Sequence, residues 1–300
     1  MVAVVLVAAA GGGVWLGHRL AQVDDPASAR CDAPNVRFAQ VVDRGDHREV
    51  VAHFRCEGTT LAGTVYLPRS RGPHPGVVWV HGAGEAPRLG FSGELLPSLV
   101  AADIAVFSYD KRGVGESGGE CCPGDTGHFN LLTADAVGAV QALRERPEVD
   151  PARVGLAGAS QAGWVAPRAA IDSDAAFVAL ASAPTVPERV ANLYERLSAG
   201  EDGELSREEI ARRLEDADDR GFDPAPYLSK MTMPGLWEFG TADVNTPVPE
   251  SIAILERLKS SGHDVTVVTF DGAGHGLLDV PPTDPDAVPR LVGWVMHHDG

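Results

Sequence analysis

Six short apolar runs, each followed by turn residues, constrain the architecture of this chain more than any other feature: 76–80, 104–109, 154–157, 176–181, 235–239 and 265–270. Runs this short and this apolar fit strands buried on both faces. Helical patterns separate most of them. Residues 95–102 and 252–259 read as helices, as does the stripe Ala134, Val137, Val140 and Leu143, and a last helix covers about 286–296. Strands alternating with helices through short links predict an α/β domain with a mostly parallel sheet and helices on both faces. Ahead of that alternation, 49–55 and 60–67 flank Glu57-Gly58 and predict an N-terminal antiparallel hairpin. The alternation lapses once, between 184 and 229. There Val190, Leu193, Tyr194 and Leu197 form an amphipathic stripe, and Ser206 with Glu209 makes a capping box that opens a second helix. A small helical insertion is expected over the sheet.

At 300 residues and 44% apolar composition the chain can bury a substantial core. The net charge is −17, and Lys111, Lys230 and Lys259 are the only lysines. Such a surface excludes nucleic acid and anionic membrane as electrostatic partners. Residues 2–17 are an uncharged apolar run followed by His18 and Arg19. Sixteen residues are marginal for a membrane span and sufficient for the apolar core of a signal peptide, although no basic segment precedes them. The expectation is an exported protein, secreted or membrane-anchored. Residues 1–30 would be its signal peptide or N-terminal anchor with linker, and 31–300 the α/β domain; a buried N-terminal helix is the alternative. The four cysteines lack zinc-ligand spacing. Cys31 and Cys56 flank the hairpin and are the favoured disulfide, which leaves Cys121 and Cys122 as a vicinal bridge or free thiols.

In a parallel sheet, ligand-binding and reactive groups gather in loops at the carboxyl ends of strands. Four such loops stand out here. His81-Gly-Ala-Gly84 follows the first run, Ser160 the third, Gly240-Thr-Ala-Asp243 the fifth, and Asp271-Gly-Ala-Gly-His275 the sixth. Each alone has a plain explanation as a turn or a cap. Together they supply a serine on a small-residue turn, an aspartate and a histidine in that chain order, which is what nucleophilic acyl transfer requires. The elbow string Gly158-Ala-Ser160-Gln-Ala162 departs from G-x-S-x-G, because Ala162 stands at the second glycine position and Gly163 follows one step late. His128, His297 and His298 do not follow a buried strand within a glycine turn and are set aside.

From about residue 50 onward the chain resembles the serine α/β-hydrolases, near the branch of small esterases and acylaminoacyl-peptidase-like domains. The matching segments are VVWVHGAG (77–84), SYDKRGVGESGG (108–119), GASQAGW (158–164), FGTADVNTP (239–247) and DGAGHGL (271–277). The resemblance implies the α/β-hydrolase fold, and the insertion of residues 184–229 is the candidate lid over it, expected to set acyl size. The resemblance also implies Ser160 as nucleophile, His275 as base, Asp243 as the acid that orients it, and Ala83 and Gln161 as donors of the oxyanion-hole N–H groups. In this family the Asp-x-Arg-Gly turn at Asp110 buttresses the wall of the site. No metal or organic cofactor is implied.

The expected activity is hydrolysis of carboxylic esters of small or medium acyl substrates through an acyl-enzyme. A peptidase or thioesterase with the same residues is the alternative, and a non-catalytic binding protein on the same fold is a third. Larger peptidases of this kind carry a propeller ahead of the catalytic domain. The fifty residues before the first hairpin strand are too few for one, which favours ester cleavage.

Overall fold

The computed structural model describes residues 31, 36–90, 93–121, 126–217, 221–279 and 281–298. The leader expected over 1–30 lies outside them. Among the described residues no helix is long and apolar enough to cross a membrane.

Two short strands not anticipated from sequence, β1 (Arg37–Phe38) and β2 (Val42–Asp43), pair with the edge of β3 (Arg48–Cys56). Strand β3 turns back into β4 (Thr59–Leu67) as the expected hairpin. Glu57 and Gly58 at its tip have φ of 47° and 72°, the left-handed pair that suits the twist of two antiparallel strands. Cys31 and Cys56 are disulfide-bonded with their Cα atoms 4.8 Å apart, the pairing favoured from sequence. Cys121 is disulfide-bonded as well, so it is not a free thiol; its partner lies outside the described residues.

The alternation then unfolds as read. It runs β5 (His74–Val80), α1 (Leu95–Ala101), β6 (Ala105–Tyr109), α2 (Thr126–Arg144), β7 (Val149–Ala159), α3 (Ala162–Ser173) and β8 (Val178–Ala181). Three helices follow: α4 (Glu188–Ser198), α5 (Arg207–Glu215) and the short α6 (Ala225–Leu228), the last not foreseen. The chain closes with β9 (Gly235–Gly240), α7 (Val248–Ser260), β10 (Val265–Phe270) and α8 (Ala287–His297). Helix α5 starts as its sequence dictates. Ser206 accepts from the Glu209 N–H while the Glu209 carboxylate accepts from the Ser206 N–H.

The ten strands form one sheet in the order β1-β3-β4-β6-β5-β7-β8-β9-β10, with β2 on β3. Only the links through β1 to β4 and on to β6 are antiparallel. Successive strand side chains point to opposite faces. Val77 and Trp79 of β5 therefore pack in the core with α1 and α8, while Val78 and Val80 pack with α2 and α3. Strand β5 lies between β6 and β7, so the chain leaves it one way for α1 and β6 and leaves β7 the other way for α3 and β8. That reversal opens a crevice at the carboxyl ends of β5 and β7, where an open α/β sheet holds its ligands. Val80 and Gly158 are paired there, so the 81–84 loop and Ser160 depart from adjacent points.

Candidate active site

Ser160 occupies the turn between β7 and α3 at φ +55°. A side-chain-bearing residue in the left-handed region costs of the order of 1–3 kcal/mol, and neighbouring bonds have to enforce it. Here the Ser160 N–H donates to the Ala181 carbonyl at 3.1 Å, and the Ser160 carbonyl accepts from the Gly163 N–H at 2.9 Å. The glycine pattern of this elbow now has a steric reason. A Cβ on Gly158 would lie 2.5 Å from the Val80 carbonyl oxygen and 2.6 Å from the Ala162 methyl. A Cβ on Gly163 would collide with the Pro184 carbonyl. The glycine displaced by one position is therefore the one that lets the loop after β8 pass over the helix, and Ala162 fits because Gly158 beneath it has no side chain.

The loop after β5 is held from two directions. The His81 imidazole donates through Nε2 to the Tyr109 carbonyl. Burial pushes the ring down to about 4, despite the opposing pull of that carbonyl, so the ring is neutral at pH 7. The Lys111 ammonium donates to the Gly82 carbonyl at 2.9 Å, to the Gly84 carbonyl at 3.1 Å and to Gln161 Oε1 at 2.7 Å. At Gly82, the position a Cβ would take lies 3.6 Å from both Ser160 Cβ and the Ala159 carbonyl, so this loop runs directly beside the serine.

Asp243 and His275 are brought together by the ends of β9 and β10. Those strands are parallel neighbours, with Gly240 opposite Phe270. A Cβ on Gly240 would collide with the Ala273 carbonyl, and the Ala242 N–H donates to that same oxygen at 2.9 Å. The two loops are thereby joined. His275 Nδ1 donates to Asp243 Oδ2 at 2.8 Å. The other carboxylate oxygen, Oδ1, accepts from the Asn245 and Thr246 N–H groups at 2.8 and 3.0 Å. The Asp243 side chain is fully buried, whereas that of His275 is 29% exposed. A carboxylate so held has one free direction left, toward the imidazole, and it fixes the tautomer that leaves Nε2 unprotonated.

The end of β8 ties these parts to one another, which the sequence reading did not anticipate. Besides the Ala181 carbonyl on Ser160, the Ser182 hydroxyl donates to the His275 carbonyl at 2.7 Å, and the Ser182 carbonyl accepts from Thr246 Oγ1 at 2.9 Å. Ser182 itself sits at φ +50°. Its position immediately after a buried strand was the available signal. Helix α4 also meets the site. The Tyr194 hydroxyl donates to the Asp243 carbonyl at 3.0 Å, and Asn245 Nδ2 donates to Glu195 Oε1 at 2.8 Å.

Asp110 and Arg112 are structural. Burial by itself would raise the Asp110 carboxyl, but the Arg88 guanidinium and the N–H groups of Arg88 and Glu116 outweigh it and lower it. The Arg88 contacts are 3.0 Å from Nε and 2.5 Å from Nη2. Arg112 makes a fork with Asp135 and reaches Thr59 Oγ1 at 2.8 Å. Trp164 is buried and donates to the Val186 carbonyl at 2.9 Å. Among the described residues no group of three or more His, Cys, Asp or Glu side chains is arranged to hold a metal ion.

Comparison with known proteins agrees with this architecture. The chain is 28% identical over 247 residues to esterase EstD of Thermotoga maritima, an overlap of 72% of this chain and 57% of that protein. It is 26% identical over 205 residues to the acylamino-acid-releasing enzyme of Arabidopsis thaliana, covering 66% of this chain and 26% of that one. The chain thus spans little more than half the length of the first relative and about a quarter of the second. In three dimensions it is similar to an acetyl xylan esterase from Paenibacillus sp. R4, with a TM-score of 0.64, 18% identity and 88% of each chain covered. That likeness shows the α/β-hydrolase fold. Residues 91–298, more than half of the sequence, match the model of the prolyl oligopeptidase family. By that match the chain belongs to the prolyl oligopeptidase family.

Proposed function

We propose that this protein is a serine hydrolase that cleaves carboxylic esters of small or medium acyl substrates. Ser160 is the nucleophile, His275 the base and Asp243 the orienting acid, and the N–H groups of Ala83 and Gln161 receive the oxyanion. The observation that carries this reading is the His275–Asp243 hydrogen bond of 2.8 Å, with the remaining carboxylate oxygen saturated by backbone. An aspartate that merely capped α7 would have no need of the imidazole.

Ser160 Oγ adds to the acyl carbonyl carbon as its proton passes to His275 Nε2, and the imidazolium is stabilised by Asp243. The tetrahedral oxyanion collapses, the alcohol leaves with the proton from His275, and water then repeats the sequence on the acyl-enzyme. The free energy needed to hold Ser160 at positive φ is supplied by the fold, so the hydroxyl is already presented when substrate arrives.

Ester cleavage is favoured over peptide cleavage by the relative named as an esterase, which overlaps 72% of this chain. The relative named as an acylamino-acid-releasing enzyme keeps peptidase activity as the second reading. A fluorophosphonate probe is expected to label the protein at Ser160, and Ser160→Ala to abolish the label. Folded protein that resists the probe would overturn the reading. A panel of p-nitrophenyl esters of rising chain length, run beside aminoacyl anilides, separates the two activities.

The helices between β8 and β9 serve as the lid in this proposal, a role supported by the contacts of Tyr194 and Glu195 with the 243–245 loop. Exchanging the insertion should shift chain-length preference in the same panel; an unchanged preference refutes the role. Export is also proposed, supported by the Cys31–Cys56 disulfide, since such bonds persist in oxidising compartments. Intact-mass measurement of protein recovered from the outside of the producing cell tests it.

A further inference from the structure

We propose that Lys111 is the positioning residue of the oxyanion hole: its ammonium gathers the Gly82 and Gly84 carbonyls and the Gln161 side chain, and so fixes both backbone N–H groups that receive the developing charge. The inference rests on the reading of Ser160 as nucleophile and extends it to a residue outside the triad.

Lys111 is buried, with 2% of its surface exposed. An ammonium group has three N–H donors, and here three acceptors take them, at 2.9, 3.1 and 2.7 Å. The acceptors belong to the two halves of the hole. Gly82 and Gly84 flank Ala83, and Gln161 is the residue after the serine. The Gly82–Ala83 peptide is trans, since the cis peptide in the described chain is Gly72–Pro73. In a trans peptide the carbonyl and the following N–H point in opposite directions. A Gly82 carbonyl drawn to Lys111 therefore turns the Ala83 N–H away from the lysine. Gln161 stands at the start of α3, and anchoring its side chain sets the orientation of the turn that carries its N–H.

Among the described residues the cation has no carboxylate partner. Its immediate neighbour Asp110 is committed to Arg88. The ring of His81 is neutral at pH 7, and the phenol of Tyr109 is raised above its ordinary range by burial and stays protonated. From α2 and α3 the residues at this spot are Leu132 and Val165, which with Val80, His81, Tyr109 and Lys111 line a cavity of about 10 Å³, about the size of one water. Burial lowers the lysine to about 8. Above that pH the neutral amine keeps only two N–H donors and turns a lone pair on a carbonyl oxygen, so one of the three ties is lost. Lys111 touches neither substrate nor the reacting atoms; its effect passes through the backbone it holds.

The test compares wild-type protein with Lys111→Met and Lys111→Ala, using p-nitrophenyl acetate for turnover. Removing a single oxyanion donor typically lowers kcat about 10²–10³-fold, and Lys111→Met should fall in or near that range with KM little changed. Methylammonium should restore turnover to Lys111→Ala, where it can occupy the vacated volume, while tetramethylammonium, which has no N–H, should not. In the wild type, kcat should decline through about pH 8, and Lys111→Met should lack that limb. A Lys111→Met enzyme within threefold of wild-type kcat overturns the proposal. So does wild-type kcat that stays flat to pH 9.5, a measurement that needs no variant to fold. Failure of the underlying reading looks different: wild-type protein would then resist the fluorophosphonate probe altogether.

Discussion

Replacing Glu238 by glutamine should change how the stability of this protein depends on pH. Glu238 lies in β9 between Ala181 of β8 and Val268 of β10, on the same side of the strand as Leu236, which packs against α8. It is 0% exposed, and neither carboxyl oxygen has a hydrogen-bond partner among the described residues. Burial pushes this carboxyl from 4.5 up to about 8, opposed only by the charge of Arg290. A folded-state pKa above the unfolded value means that the folded protein keeps a proton the unfolded chain has already released. The protonated carboxyl therefore stabilises the fold fully below pH 4.5, and that contribution is lost as pH rises through the window up to about 8. Each pH unit of that window is worth about 1.4 kcal/mol for a single proton, so the whole effect is roughly 5 kcal/mol. Glutamine has nearly the same shape and does not ionise. Its buried amide carries its own desolvation penalty, of about 1–3 kcal/mol, but that penalty is independent of pH. Urea unfolding of both proteins at pH 5, 6, 7 and 8 isolates the ionisation, because only the difference between them is read. The wild-type stability relative to Glu238→Gln should fall by roughly 4 kcal/mol between pH 5 and pH 8. A difference that moves by less than about 1 kcal/mol across that range, at equal denaturant sensitivity, would refute the reasoning.

Gly163→Ala should lower stability by about 1–3 kcal/mol, because its methyl group meets the Pro184 carbonyl, which is backbone and has no rotamer to yield; an unchanged melting temperature would contradict the steric account of the displaced glycine. Arg112→Met strands the fully buried Asp135 carboxylate and should lower stability by about 3–5 kcal/mol. Adding Asp135→Leu to it should recover much of that loss in chemical denaturation, and no recovery would mean that the pair acts through something other than its charge.

The six buried runs were legible because a parallel strand covered on both faces has to be apolar along its whole length, and few helical segments look like that. Where boundaries moved, a local reason exists. Strand β7 starts at Val149, earlier than the apolar run at 154, although Pro151 lies within it. The pairing with β5 shifts register between His74 and Gly76, opposite Val149 and Val154, and proline is tolerated at such an irregularity. The short elements β1, β2 and α6 escaped notice because two to four residues carry no period to detect. The capping box at Ser206 was read correctly because both of its hydrogen bonds are local in sequence.

The candidate site divides along a similar line. Ser160, Asp243 and His275, the residues the proposal assigns to catalysis, could be picked out because acyl transfer would need particular side chains, and strand ends are where a sheet can present them. The residues that align them were not, because their partners are main-chain carbonyls, which every residue has and no sequence pattern marks. Ser182 reaches the His275 carbonyl and Lys111 those of Gly82 and Gly84. The turn Asp110-Lys111-Arg112 shows how much this hides. Its outer two residues are each ion-paired, Asp110 with Arg88 and Arg112 with Asp135, as a wall would require. The residue between them, one of three lysines in a chain of net charge −17, is buried with no carboxylate against it among the described residues and turned the other way, toward the serine loop. A cation that had only to stabilise the fold would be better placed at the surface or against one of the many acids available. Its desolvation is compensated by three carbonyl-type acceptors that converge only if the 82–84 loop and Gln161 already lie in one arrangement, so the same contacts that keep Lys111 buried hold that arrangement in place.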